Sequence, residues 1–271
     1  MQELLTHPAV QGGLAPFVAA LIIAELLQRL KLSGLAVIAG FAATVYLISD
    51  FSFEPLTASR KIVLLGMASA ALALPLAFLR MEWLRPLLAV AGGLAAVWVA
   101  QRILEQQEAA AVVLWGVGCM LYVGWLVYWM DGLGDSPVRA GSAGLALGLG
   151  TGGAALFGAS ALLGQFGLAL GATAAAHLLI QAISNSPLPC GRTFTLPLAL
   201  IAALTGCLAV LTAQLPWYAL APLALIPLAA KIPVPEKYSL RLQSLLLSLA
   251  ALVCAAGAVY LTWRVAGAPP V

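Results

Sequence analysis

The chain has 271 residues; 63% are apolar, only 8% are charged, and the mean hydropathy is +1.03 with a formal net charge of +3. A soluble domain carries about 25% charge, so this composition cannot build a water-facing surface and the bilayer must solvate most of the chain. The small positive charge is then no sign of nucleic acid; what matters is how Lys and Arg are shared among the loops.

A membrane span needs about 20 apolar residues, and ten stretches qualify as candidates. In chain order they cover 10–30, 33–49, 61–79, 84–101, 109–130, 140–163, 167–183, 194–213, 216–230 and 239–263. The first has no basic region before it and runs on into "ELLQRLK" instead of a small-residue cleavage site, so it reads as a span and not as a cleavable signal. The ninth is short and carries Pro222 and Pro227, which leaves bent and re-entrant forms both open. The loops are too short for a soluble domain. The expected architecture is an all-α, polytopic membrane helix bundle of about ten transmembrane helices, one transmembrane domain over 1–271. Ten spans invite a five-plus-five division of the kind many transporters use, although the two halves show no sequence similarity.

Placing the N-terminus outside puts Arg29, Lys31, Arg80, Arg85, Arg139, Arg192, Lys231, Lys237 and Arg241 on the cytoplasmic side and leaves Arg60, Lys61, Arg102 and Arg264 outside. This bias toward the cytoplasm predicts the orientation. The acidic loops "SDFSFEP" and "EQQE" and both termini are then periplasmic, in a multi-pass protein of a bacterial-type inner (plasma) membrane. Trp125, Tyr128 and Trp129 mark one interface, and Trp217 and Tyr218 another.

The sixth stretch, "GSAGLALGLGTGGAALFGAS", repeats glycine every four residues at Gly144, Gly148 and Gly152, on one helix face. Such a face lets a neighbouring helix approach closely. The alternative is that Thr151-Gly152-Gly153 breaks the helix beside a cavity, where freed backbone groups find partners.

Asp131 and Asp135 lie at the end of the fifth stretch, in "MDGLGDSPVR". Asp and Gly ending a helix, then Ser136-Pro137 starting the next element, describe a turn, with Asp135 in reach of Arg139. The same residues resemble, over about six positions, the "DGLDGL" signature of polyprenyl-phosphate phosphoglycosyl transferases, with the second aspartate displaced by one position. That resemblance implies a membrane enzyme acting on a lipid-linked substrate at the cytoplasmic face. It would need Asp131, Asp135, Arg139 and Arg192 to converge.

His177 stands within the seventh stretch, about 15 Å from its start at 1.5 Å per residue and so near the bilayer midplane. Thr173, His177 and Gln181 are four apart and share a face, with Asn185 continuing the row. An ionisable residue at such depth is costly and points to function; a neutral His bonded to a neighbouring carbonyl is the structural alternative. Glu25 is the other ionisable group inside a span. It can pair with Arg29 one turn on, or with His177 across tilted helices as a proton site. Ser160 in "FGASA", followed by His177, resembles the serine–histidine pair of rhomboid-like intramembrane proteases, with Ala161 in place of that motif's final Gly.

Cys119, Cys190, Cys207 and Cys254 form no CxxC pair, and no Walker or dinucleotide motif occurs. With His7 outside the membrane, a haem held by two histidines of one chain is excluded. The sequence thus implies no cofactor and no metal. The expected function is carriage of a small solute or lipid-like molecule along Thr173, His177, Gln181 and Glu25. The rival readings are a non-catalytic subunit or assembly factor of a membrane complex, and the enzyme at the cytoplasmic face. Expected partners are the lipid bilayer and further membrane subunits or copies of the chain, and not nucleic acid.

Overall fold

A computed structural model describes residues 7–49, 51, 53–79, 81–235 and 237–267. Asp50 and Ser52 of the acidic loop, Arg80 of the basic set, Glu236 and the two chain ends lie outside the described residues. Every regular element among those described is helical. Eight helices are long and apolar enough to cross a membrane: α1 (Val10–Leu30), α3 (Ala58–Leu76), α4 (Leu84–Leu104), α5 (Ala109–Asp131), α6 (Pro137–Phe157), α7 (Ala161–Ser184), α8 (Gly191–Thr212) and α10 (Leu240–Ala266). Two shorter apolar helices complete the series, α2 (Ser33–Ser49) and α9 (Trp217–Ala229). At 1.5 Å per residue α9 falls well short of the about 30 Å of a hydrocarbon core.

The helices start and stop where local chemistry dictates. Thr57 caps α3 by accepting from the Arg60 backbone N–H, and Ser239 caps α10 by accepting from Leu242. Pro137 sits in the first turn of α6, where its missing N–H costs nothing. Asn185 ends α7 in the left-handed conformation.

α6 ends at Phe157 and α7 begins at Ala161, so the turn Gly158-Ala159-Ser160 divides what reads as one apolar run to residue 163. Ala159 takes a positive φ of 64° there, a conformation usually left to Gly or Asn, which is why composition hides the break. This shift lengthens α7 toward its N-terminus. His177 then lies seven residues from the helix end, roughly 10 Å, and Thr173, not His177, is near mid-helix.

Contacts between helix ends divide the bundle into two faces. At one, Arg192 at the start of α8 reaches the carbonyls of Leu76, the last residue of α3, and Leu79 beyond it, Arg139 at the start of α6 reaches Ala230 and Ile232 after α9, and Arg241 at the start of α10 reaches Ala182 near the end of α7. At the other, Gln11 bonds Leu47, Lys61 bonds Trp98, and Gln214 bonds Gly158. Arg29, Lys31, Arg85, Arg139, Arg192, Lys231, Lys237 and Arg241 gather at the first face; Arg60, Lys61, Arg102 and Arg264 lie at the second. We call the first the basic end.

α8 is the central helix, with 89% of its most apolar stretch buried. α6 and α7 pack backbone against backbone. A Cβ on Gly148 would fall 2.2 Å from the Gly171 nitrogen, and one on Gly167 would fall 2.3 Å from that of Gly152. The glycine face therefore serves close packing. α6 runs unbroken through Thr151-Gly152-Gly153, so no helix break lines a cavity there. Its other side meets α10, where Ser248 Oγ donates to Ser142 Oγ at 3.1 Å.

Candidate functional site

The α7 row is buried as a unit. Thr173, His177 and Gln181 are all at or below 1% exposure, while Asn185 is exposed. Thr173 donates to the Leu170 carbonyl of its own helix at 2.7 Å. Its methyl faces α2, where it would lie 2.2 Å from a Cβ on Gly40; only glycine admits α2 at this distance. His177 packs on Phe194 of α8 with ring centroids 4.8 Å apart. Its Nε2 lies 3.0 Å from Cys190 Sγ. The ring also lies near the Leu188 backbone, but Nδ1 makes no hydrogen bond of good geometry among the described residues. One turn on, Gln181 has neither its amide oxygen nor its nitrogen bonded, and it faces α6 at Gly141, whose Cβ position would be 3.8 Å from Nε2.

The Cys190 partnership was not legible beforehand. Cys190 sits just before α8 and is held by a short loop whose Pro189 carbonyl accepts from Ser33 Oγ. Burial pushes its thiol above the usual range, so it serves His177 as a neutral group.

Glu25 does not join the row. It is exposed on α1, where Gln28 donates to its carboxylate at 2.8 Å, and it pairs with neither Arg29 nor His177. The row stays on α7, and α1 turns its one carboxylate outward. Ser160 precedes the opposite end of the helix that carries His177, about 25 Å away by helical rise, so the two cannot form a catalytic pair.

Two apolar grooves of about 490 and 550 Å³ open on the outside of the bundle. One is lined by Leu149, Phe157 and Tyr260, the other by Trp115, Tyr122 and Trp217; neither reaches His177 or Gln181.

At the basic end, Asp131 is buried and holds two guanidinium groups. Arg192 Nε lies 3.0 Å from Oδ1, and Arg85 Nε lies 3.3 Å from Oδ2. The sequence groups Asp131 with Arg192, whereas Arg85 comes to it from α4 with no local signal. Arg139 is near but turned to the Ala230 and Ile232 carbonyls. Asp135 is exposed and makes no ion pair among the described residues, with Arg139 or otherwise. Asp131, Asp135, Arg139 and Arg192 thus do not converge on one point. No group of three or more His, Cys, Asp or Glu side chains that could hold a metal occurs among the described residues.

Comparison with models of known protein families, with curated proteins and with solved structures gave no match.

Proposed function

We propose that this multi-pass membrane protein is a carrier of a small solute or lipid-like molecule, with Thr173, His177 and Gln181 along its path and the described conformation closed around them. The observation that carries the reading is Gln181. A primary amide with both polar atoms unbonded inside a membrane bundle costs several kcal/mol, and such a cost is retained where a partner arrives in another state. The seam that Gln181 faces supports the same reading, since glycine surfaces without interlocking side chains suit relative helix movement. Arg29, Lys31, Arg85, Arg139, Arg192, Lys231, Lys237 and Arg241 at one end favour a cytoplasmic basic end and outward termini.

The test needs no known substrate. In a version lacking the four native cysteines, Thr173→Cys and Gln181→Cys are exposed in intact membranes to a small hydrophilic methanethiosulfonate. A carrier that opens labels both over minutes, more slowly than an exposed Asn185→Cys control. No labelling of either, with Asn185→Cys fully modified, rejects the path.

The second reading is a non-catalytic subunit of a membrane complex, favoured by the complete burial of His177 away from both of the grooves described above. Against it, the glycine face of α6 that could have received a partner is covered by α7. The enzyme reading lacks its convergent four residues.

A further inference from the structure

We infer that the Gly132 notch at the basic end, between Arg85 and Lys231, binds the phosphate of an anionic lipid headgroup. The inference is independent of the transport reading and uses none of its residues.

Four cations gather here, Arg85 and Arg192 on Asp131 and Arg139 and Lys231 close to Arg85 or to each other. Asp131 is engaged by Arg192 and Arg85 through their Nε atoms. Arg192 spends its Nη1 on the Leu76 and Leu79 carbonyls, and Arg139 spends its own on Ala230 and Ile232. Of the donor groups left over, two lie at Gly132. Arg85 Nη1 has no hydrogen-bond partner among the described residues, and neither does Lys231 Nζ, which instead lies over the Trp129 ring at 4.2 Å. Both point at one place: a Cβ on Gly132 would lie 3.5 Å from Lys231 Nζ and 3.8 Å from Arg85 Nη1. The two cations are therefore no more than about 7 Å apart, with no side chain of residue 132 to fill the space and the Trp129 carbonyl oxygen, 3.4 Å from the same Cβ position, on its wall. A phosphate accepting from each at about 2.8 Å spans such a gap.

Apart from Asp131, no carboxylate pairs with either cation among the described residues. Lys231 makes no ion pair among the described residues, and partial desolvation together with the charges of Arg85 and Arg139 holds its pKa below the ordinary lysine value. An anion in the notch would relieve that repulsion. The depth selects the source. Trp129 packs edge-on against Tyr128 at 5.6 Å, and Trp125 donates to the Ala224 carbonyl at 2.9 Å; Tyr128 and Trp125 are exposed and Trp129 is half-buried beside them. Such a girdle marks headgroup level, and basic pockets between helices at that level take phosphate headgroups.

The test is native mass spectrometry of the full chain in detergent, titrated with phosphatidylglycerol and with phosphatidylcholine of the same acyl chains. The wild type is expected to retain phosphatidylglycerol preferentially, by about five-fold for each of the two cations. Arg85→Gln with Lys231→Gln should bring the ratio close to parity, and Lys237→Gln, outside the notch, should leave it unchanged. Since Arg85 also supports Asp131, Gly132→Leu is the second variant; it fills the notch with every charge in place and should abolish the preference too. Inorganic phosphate is the competing arm. Weak competition supports the headgroup, whereas full displacement at millimolar concentration overturns the lipid in favour of a soluble phosphate. Parity in the wild type, or a preference untouched by both notch variants, overturns the site.

Discussion

His177 Nε2 lies 3.0 Å from Cys190 Sγ, tying the last third of α7 to the residue that opens α8. The imidazole fills a closed space against Phe194, so His177→Ala removes packing as well as a hydrogen bond. Loss of about 2–4 kcal/mol of stability is expected. Read as thermal unfolding in detergent, a double-mutant cycle with Cys190→Ala should give a coupling of about 1 kcal/mol. Strict additivity would mean that the contact carries no energy. For transport, His177→Gln keeps a polar group of similar reach and is the cleaner probe of activity.

Asp131 offers an asymmetric prediction. Its side chain is 2% exposed, that of Arg192 14%, and that of Arg85 42%. Asp131→Ala strands a mostly buried guanidinium and should cost roughly 3 kcal/mol. Arg85→Ala removes a solvent-screened partner and should cost ~1 kcal/mol or less. Equal losses in a thermal unfolding comparison would contradict the burial difference.

Two glycines separate packing from propensity. Gly148→Ala drives a methyl into the α7 backbone and should sharply lower the folded yield. Gly118→Ala lies mid-helix in α5 with no atom of a packing neighbour within 4 Å of its Cβ position, and should be neutral or stabilising by about 0.5–1 kcal/mol. A tolerated Gly148→Ala would mean that α6 and α7 are farther apart than described.

Lys231 predicts a pH trend with a definite sign. Its pKa is lowered in the fold, so the unfolded chain binds the proton more tightly. Between the lowered value and the ordinary 10.5, the unfolded state holds more protons and stability rises with pH. Below that window the charge exerts its full cost. Relative to Lys231→Met, the wild type should therefore gain unfolding temperature as the pH approaches 10.5. A flat difference would show that the charge is already neutralised.

Apolar run length made the helices legible, since lipid leaves the backbone few alternatives to a helix. Eight of the ten expected stretches recur as helices of spanning length and two as shorter ones. The boundary between the sixth and seventh was hidden because Ala159 and its small neighbours look like helix interior. The α7 row was legible from four-residue spacing. Its partners were not: Cys190 meets His177 only because a proline-containing loop folds back, and spacing carries no record of that. Glu25 was misplaced because period alone does not say which face of α1 meets lipid. Arg85 reaches Asp131 from another helix across the bundle end, a relation no local pattern encodes.

α8 has the highest mean hydropathy of the eight long helices, yet it is the one most completely hidden from lipid. A helix enclosed by other helices does not need to be so oily in its final surroundings. The demand comes earlier, when the segment partitions into the bilayer as an independent unit before docking. The side chains of α8 thus record the history of its insertion as much as its destination. Polar replacements along it should disturb biogenesis, as failed integration of newly made chains, before they disturb the finished bundle.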